Sequence, residues 1–169
     1  MDILCIIPAR GGSKSIPRKN ILDLAGKPLI AHTIESARNS KHITRIVVST
    51  DDIEIAEISK HFQAEVVYRP TAISHDNASS ESALIHTLNH LEETEGYQPD
   101  LLVFLQCTSP LTQCEDIDGT IDTLLNDKAD SALSVTPFHY FLWERDEFGN
   151  ATGLNHHKDV RILRQNQKP

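Results

Sequence analysis

The sequence predicts an α/β fold with an open, mostly parallel Rossmann-like sheet, because strand-like and helix-like segments alternate along the chain. The runs ILCIIP (3 to 8) and LLVFLQ (101 to 106) are almost wholly apolar, as expected of parallel strands covered on both faces. The segments between such runs carry apolar residues at helical spacing. This alternation favours right-handed crossovers and a ligand site at the carboxyl ends of the strands.

The individual elements are predicted from local signals. The first strand ends at a proline and a glycine pair, and the helix at 28–40 has Pro28 in a position suited to a first turn. Ser79 or Ser80 is placed to cap the helix at 79–94. The other expected elements are strands at 45–50, 65–69 and 131–137 and helices at 52–62 and 115–126.

The segment YFLWERDEFGNATGLN (140 to 155) differs in style from the rest of the chain. Gly149 and Asn150 provide a turn between β-prone flanks, which predicts a hairpin that projects from the sheet within an extension at 138–160. Exposed aromatic residues favour a contact with a second copy, and the alternative is that they pack on the parent sheet. The aromatic residues of this extension are Phe138, Tyr140, Phe141, Trp143 and Phe148.

The bulk properties fit one cytoplasmic domain spanning 1–169. No apolar run approaches the roughly 20 residues that a membrane span requires, and the N-terminus lacks the pattern of a secretory signal. The three cysteines show no C-x-x-C spacing, as is typical of a reducing compartment. His86 and His90 lie four residues apart without an intervening H-E-x-x-H glutamate, which favours a polar helix face over a zinc site.

The distribution of charge indicates a small anionic ligand. The formal net charge is −8, which argues against a nucleic-acid partner. Residues 1–30 nevertheless hold five cations against two acids, a local balance of +3 that leaves −11 for the remainder. A compact, highly charged anion fits this pattern better than a polymer does.

The cations concentrate in the loop IIPARGGSKSIPRKN (6 to 20), directly after the first strand. The loop matches neither the P-loop pattern nor G-x-G-x-x-G. Gly11 and Gly12 would let backbone amides approach a phosphate without an intervening Cβ. The side chains that would neutralise a triphosphate are Arg10, Lys14, Arg18 and Lys19. A solvated basic turn is the alternative, and the position after the first strand favours phosphate binding.

The loop and several later segments resemble the acylneuraminate cytidylyltransferase family. PARGGSKSIPRKN is followed by L-x-G-K-P-L-I, and further matching segments come in the same order. They are VVSTDD (47 to 52), VVYRP (66 to 70), DNASS (76 to 80), LQCTSPL (105 to 111) and RQ (164 and 165). The resemblance covers essentially the whole chain and implies the nucleotide-diphospho-sugar transferase type of fold, with the hairpin used for dimerisation.

The resemblance implies that the protein activates a nonulosonic, sialic-acid-like sugar with CTP, giving a CMP-sugar and pyrophosphate. Mg²⁺ or Mn²⁺ and a homodimer are implied as well. Arg10 and Lys14 match catalytic positions beside the leaving pyrophosphate. Asn20 and Arg69 match residues that recognise cytosine, and Ser80 matches a ribose contact. The other implied nucleotide contacts are Gly11, Gly12, Ser13 and Lys19, and the implied sugar contacts are Gln106, Thr108, Ser109 and Arg164.

Some positions depart from the family pattern. Ser15 replaces a glycine, Cys107 replaces the usual proline, and Trp143 and Glu144 stand where some sialic acid enzymes place a lysine. The last difference favours legionaminic, pseudaminic or another nonulosonic acid over N-acetylneuraminate. Family members continue past the RQ segment to an aspartate pair that binds the metal, so we expect an incomplete chain with weak CTP binding and poor turnover.

Three alternatives stay open at this point. A CMP-Kdo-type enzyme shares the chemistry but has a less lysine-rich first loop. A nucleotide-binding module without catalysis, kept for regulation or assembly, is the second, because the metal-binding aspartates of the family are absent from these residues. Asp51 and Asp52 follow a strand as in a phospho-receiver, but this leaves the basic loop without a purpose. The pair is more typical of a helix cap than of a metal site.

Overall fold

A computed structural model describes residues 1–13, 16–75, 78–136 and 141–157 of the chain. It confirms an α/β fold built around a four-stranded parallel sheet. The strands of this sheet are β1 (Ile3–Pro8), β4 (Arg45–Thr50), β5 (Glu65–Tyr68) and β6 (Leu101–Phe104). The helices are α1 (Leu29–Arg38), α2 (Ile53–His61), α3 (Ser80–Glu95) and α4 (Cys114–Asp127), with short 3₁₀ turns at Lys19–Ile21 and Thr71–Ile73.

The sheet has the strand order β5-β4-β1-β6, which places the first strand in its interior. Ile6 of β1 is in register with Val47 on one side and with Phe104 on the other. All pairings are parallel, so the chain crosses over between strands through helices, as the alternating pattern predicts. The carboxyl ends of the four strands therefore meet along one edge.

The core lies on both faces of β1, as its continuous apolar run predicts. Cys5 and Ile7 belong to the cluster that contains Ile30 and Ile34 of α1. Leu4 and Ile6 belong to a second cluster on the opposite side, which α3 completes through residues such as Leu91. Successive residues of a strand point to opposite faces, so one short segment supplies both halves of the core.

One predicted strand is wrong within the described residues. Residues 131–136 of the expected strand at 131–137 have no strand structure, and Leu133 and Val135 are exposed. The prediction rested on β-prone residue types alone, whereas a strand forms only where a neighbour accepts its backbone hydrogen bonds. A short antiparallel pair, β2 (Asp23–Leu24) with β3 (Lys27–Pro28), was not predicted.

The contacts divide the chain into two compact units, residues 1–132 and 133–169. The second unit contains the predicted hairpin, formed by β7 (Trp143–Arg145) and β8 (Ala151–Gly153). Asp146 Oδ1 accepts hydrogen bonds from the backbone N–H of Phe148 and of Asn150, and Gly149 has a φ of 82° that favours glycine. A role of this hairpin in dimerisation stays a prediction.

Two further sequence expectations bear on the kind of protein. The described part of the chain contains no helix with both the length and the apolar character needed to cross a bilayer. All three cysteines are free, with Cys5 and Cys107 buried and Cys114 half-buried. They lie in a core strand, in a loop and at the start of a helix.

A buried carboxylate ties α4 to the end of α1. Asp118 accepts hydrogen bonds from Ser40 Oγ at 2.5 Å and from the backbone N–H of Lys41 at 3.0 Å. Asp118→Ala should lower the free energy of unfolding by about 2–4 kcal/mol, because it leaves these donors unsatisfied. Asp118→Asn keeps an acceptor and serves as the control in chemical denaturation. Equal losses in the two variants would contradict this role.

The same carboxylate predicts a pH dependence of stability. Burial acts to raise the pKa of Asp118, but the bonds from Ser40 and Lys41 outweigh it and hold the pKa below its ordinary value. Its contribution to stability is therefore present above the ordinary carboxyl pKa and is lost as the pH falls through the lowered pKa. Asp118→Asn should show a shallower loss of stability over that acidic range.

Candidate nucleotide site

A cavity of about 300 Å³ lies at the carboxyl ends of the parallel strands. Pro8 ends β1, Phe104 ends β6, and Arg69 follows β5, so three strands deliver lining residues to one place. This is where open α/β sheets bind ligands. The sequence-predicted site residues that line the cavity are Arg10, Ser13, Lys19, Asn20, Arg69, Ser80, Gln106 and Thr108.

The described lining of this cavity is cationic. It contains Arg10, Lys19 and Arg69 and no carboxylate, although the chain as a whole carries a net charge of −8. The remaining polar groups of the lining are hydroxyls and amides. The fold therefore gathers positive charge at one position, as the uneven charge distribution predicts, and the cavity suits a phosphorylated ligand with hydrogen-bonding groups.

The basic loop is held to the sheet at its start. The backbone N–H of Ala9 donates to the carbonyl of Ser49 at 2.9 Å, which extends the pairing of β1 with β4 by one residue. Arg10 Nη1 donates to the carbonyl of His75 at 3.0 Å. Asn20 is only 6% exposed, and its Nδ2 donates to the carbonyl of Arg10 at 3.1 Å. Asn20 thus links the two ends of the loop and also faces the cavity.

Arg69 is the most buried cation of the site, at 8% exposure. Its backbone N–H donates to the carbonyl of Thr50 at 2.7 Å, and Nη2 donates to the carbonyl of Ser49 at 3.1 Å. Its Nε is buried and has no hydrogen-bond partner among the described residues. Burial lowers the pKa of Arg69, the nearby Arg10 lowers it further, and Asp51 opposes both. Arg69 is therefore a largely desolvated cation in the lining of the cavity, and a bound anion would compensate its lost hydration.

The beginning of α3 supplies a second polar wall. Ser79 is the N-cap, and its Oγ accepts from the backbone N–H of Ser82 at 3.2 Å, so the first of the two predicted capping residues is the one used. Ser79 and Ser80 both line the cavity. The amino end of a 16-residue helix adds partial positive charge to that of the side chains.

The loop after β6 closes the other side of the cavity. Thr108 Oγ1 lies 3.4 Å from Gln106 Oε1, within donating distance. Ser109 donates its backbone N–H to the carbonyl of Gln106 at 3.3 Å and lies in the following turn rather than in the lining. Gly11 and Gly12 also lie outside the lining. Lys14 and Arg164 fall outside the described residues, so their predicted roles are not placed.

Five lining residues were not predicted as site residues. They are Pro8, Ala78, Ser79, Phe104 and Cys107. Phe104 is 39% exposed although it ends a central-looking apolar run, because β6 is an edge strand in the described sheet. Ser79 could have been found from its capping position, since an N-cap must lie where the helix begins. Pro8, Ala78 and Cys107 lie within the segments that match the family, and this was the signal that could have found them.

An open parallel α/β sheet with a cation-lined cavity at the carboxyl ends of its strands is the architecture of a nucleotide-binding protein. The chain belongs to the cytidylyltransferase family, whose model matches residues 4–168. This confirms the family resemblance of the loop and the later segments.

Similar proteins of the curated set agree with this family. The chain is 39% identical over 141 residues to a pseudaminic acid cytidylyltransferase of Campylobacter jejuni, covering 83% of this chain and 60% of that relative. It is 40% identical over 141 residues to a CMP-N,N'-diacetyllegionaminic acid synthase of Legionella pneumophila, covering 81% of this chain and 59% of that relative. The chain thus spans about three fifths of the length of these relatives.

Solved structures show the same fold. A CMP:2-keto-3-deoxy-manno-octonic acid synthetase complexed with CTP matches with a TM-score of 0.64 at 25% identity, covering 76% of this chain and 49% of that chain. A 4-diphosphocytidyl-2C-methyl-D-erythritol synthase matches with a TM-score of 0.70 at 13% identity, covering 90% of this chain and 68% of that chain. The predicted nucleotidyltransferase type of fold is therefore confirmed.

Proposed function

We propose that this protein binds CTP in the cation-lined cavity and transfers CMP to a nonulosonic acid. The observation that carries the proposal is that the buried guanidinium of Arg69 and the buried amide of Asn20 line the same cavity. A guanidinium and an amide suit the carbonyl and ring-nitrogen acceptors of cytosine. The family match over residues 4–168 supports the choice of nucleotide.

The triphosphate is assigned to the basic loop. Arg10 and Lys19 line the cavity with Ser13 between them in sequence, and they would neutralise the charge that grows on the leaving pyrophosphate. Lys14 has the same proposed role. Gly11 and Gly12 would offer backbone N–H groups, and Ser80 would contact the ribose. Gln106, Thr108 and Ser109 are assigned to the acceptor sugar, with Arg164 on its carboxylate.

The proposed reaction is a displacement at phosphorus. The anomeric hydroxyl oxygen of the sugar forms a bond to the α-phosphorus of CTP, and the bond from that phosphorus to the bridging oxygen of the β-phosphate breaks. Pyrophosphate leaves with the bonding electron pair, and the hydroxyl proton passes to solvent or a nearby base. The described residues can supply positioning and electrostatic stabilisation, which carry most of such a reaction.

Magnesium is part of the proposal as a companion of the nucleotide. Across the described ranges, no three His, Cys, Asp or Glu side chains form a group that could hold a metal ion. Mg²⁺ commonly binds through substrate phosphates together with one or two carboxylates, and the described lining supplies no carboxylate, so the phosphates of CTP would provide its ligands here. Such an ion would neutralise phosphate charge, as Mn²⁺ would.

The acceptor is proposed to be pseudaminic, legionaminic or another nonulosonic acid, as in the names of the two bacterial relatives. The family resemblance of the hairpin supports a homodimer, and Trp143 and Phe148 expose 51% and 81% of their surface on it. A cytoplasmic location completes the proposal, because CTP is available there. Neither nucleic acid nor a membrane is a proposed partner.

Calorimetric titration with CTP, UTP, ATP and GTP in magnesium tests the nucleotide assignment. We expect CTP to bind in preference to the others, and Asn20→Ala to weaken CTP binding by about 10-fold, the value of one good hydrogen bond. Asn39→Ala is the matched control, since Asn39 is exposed and does not line the cavity. Equal affinity for all four nucleotides would contradict the proposal, as would an unchanged affinity in Asn20→Ala.

A further inference from the structure

Two adjacent aspartates at the end of β4 contact the start of the basic loop. Asp51 Oδ1 accepts a hydrogen bond from the backbone N–H of Gly11 at 3.0 Å. A Cβ built at Gly11 would lie 2.6 Å from Asp52 Oδ2, so a side chain larger than hydrogen does not fit there. The first glycine of the loop is thus required by Asp52 in this chain, before any ligand is considered.

Asp51, Asp52 and Glu54 form an acidic corner at the start of α2, and its second contact is with Arg18, near the other end of the loop. Arg18 Nη1 donates to Asp52 Oδ2 at 2.5 Å, and Nη2 pairs with Glu54. Arg18 has a φ of 56°, in the left-handed region that non-glycine residues rarely adopt. It directly precedes the 3₁₀ turn that carries Lys19 and Asn20 into the cavity, while Arg18 itself is not in the lining.

Hydrogen bonds of its backbone and side chain hold Asp52 in place. It is the N-cap of α2, and its Oδ1 accepts from the backbone N–H of Ile55 at 3.0 Å. Its own N–H donates to Thr50 Oγ1 at 3.1 Å. Burial acts to raise the pKa of Asp52, but the bonds from Ile55 and Arg18 outweigh it and lower that pKa. Asp52 therefore stays ionised and anchored to α2 near neutral pH.

We infer that Arg18 is a positioning residue, which acts through Asp52 and Glu54 to hold Lys19 and Asn20 at the cavity. This inference rests on the proposed CTP site. The acidic corner contacts the loop on one side at Gly11, which follows Arg10, and on the other side at Arg18, which precedes Lys19. Contacts to the start of α2 therefore hold Arg10 on one side of the loop, and Lys19 with Asn20 on the other. A left-handed Arg18 is retained because this ion pair compensates its backbone strain.

The competing role for Arg18 is direct contact with the triphosphate, as its place in a basic loop suggests. A double-mutant cycle separates the two roles. If Arg18 acts through Asp52, then Arg18→Ala and Asp52→Asn should each weaken CTP binding by about 10-fold, and the double variant should be no weaker than either single one. If Arg18 contacts phosphate, Arg18→Ala should lower the affinity for CTP by the same factor in the Asp52→Asn variant as in the parent chain. That result would overturn the inference.

The choice of variants keeps the fold intact. Asparagine at position 52 can still cap α2, because its side-chain oxygen remains an acceptor. Arg18→Lys keeps a cation beside Asp52 and should recover most of the CTP affinity lost in Arg18→Ala. Glu57→Ala is the matched control, since Glu57 is an exposed acid of the same helix without a contact to Arg18. It should bind CTP as the parent chain does.

Amide hydrogen exchange without nucleotide provides a readout that does not depend on CTP. The amide of Gly11 donates to Asp51, and that of Ile21 donates to the carbonyl of Arg18 at 3.0 Å. The exchange rate of both amides should rise at least about 10-fold in Arg18→Ala and should stay unchanged in Glu57→Ala. Unchanged exchange at both amides would overturn the inference. Failure of the parent chain to bind CTP would instead contradict the proposed function, and the exchange result would still decide the role of Arg18.

Discussion

Arg69→Met should abolish most CTP binding without weakening the fold. Arg69 lines the cavity with a largely buried guanidinium, and its loss would remove one or two charge-assisted hydrogen bonds to the ligand. We expect the affinity for CTP to fall by about 100-fold, which corresponds to about 2.7 kcal/mol. The carbonyl of Ser49, which Arg69 contacts, keeps its hydrogen bond from Ala9, so no buried acceptor is left unsatisfied.

The stability of this variant should remain equal to that of the parent chain or rise by up to about 1 kcal/mol. Methionine has similar length and no charge, and replacing an incompletely paired buried cation by an apolar side chain is often stabilising. The opposite signs of the two effects identify Arg69 as a residue retained for the ligand rather than for the fold. Thermal unfolding and calorimetric titration on the same preparation would measure both.

Arg45→Met is the matched control for this experiment. Arg45 stands at the opposite end of β4 from the site, pairs with Glu65 and Glu95, and stacks 4.6 Å over the ring of Tyr97. Its removal should lower stability by about 1–2 kcal/mol, since several exposed ion pairs and one cation–π contact are lost. CTP affinity should stay unchanged. A loss of stability in Arg69→Met as large as that in Arg45→Met would contradict the assignment.

Gly11→Ala should destabilise the fold and weaken CTP binding together. The new methyl group would lie 2.6 Å from Asp52 Oδ2, and Asp52 is held by the helix cap and by Arg18. Displacing this corner should lower the free energy of unfolding by about 1–3 kcal/mol. CTP affinity should fall by about 10-fold or more as Arg10 and Lys19 move apart.

Gly12→Ala is the control for the stability effect. A Cβ at Gly12 meets no described atom within 4 Å, and neither glycine has a positive φ. Alanine should therefore leave stability unchanged or raise it by up to about 1 kcal/mol, because it restricts the unfolded chain. Chemical denaturation of the two variants would measure the difference. Equal stability of Gly11→Ala and Gly12→Ala would show that the side chain of Asp52 moves to accommodate the methyl group, which would contradict this prediction.

The sheet and its helices were predictable because unbroken apolar runs alternate with segments that carry apolar residues at helical spacing. In β1, four consecutive apolar residues divide between the two core clusters, and no other element type explains such a run before a proline and two glycines. The expected strand at 131–137 lacked this support. Its residue types were suitable, but strand formation depends on a hydrogen-bonding neighbour that local sequence does not specify.

The site was predicted in part. Charge clustering indicated an anion-binding loop, and the family resemblance supplied Asn20 and Arg69 as paired cytosine contacts. Neither signal could show that Arg69 is 8% exposed or that its Nε has no partner in the described part of the chain, since both follow from packing between distant segments. Arg18 was expected among the cations that neutralise a triphosphate, whereas it pairs with Asp52 and Glu54 in the structure.

If the proposed nucleotide binds there, the gathering of Arg10, Lys19 and Arg69 around one cavity would also link ligand supply to the lifetime of the protein. Like charges gathered in one cavity repel one another and so oppose folding, although the charge of Asp51 offsets part of this effect at Arg69. A bound polyanion reverses this repulsion and stabilises only the folded chain, by an amount that grows with its concentration. Proteolytic turnover in a cell would then slow when the nucleotide is abundant and quicken when it is scarce, so that abundance follows metabolic state without a dedicated regulator.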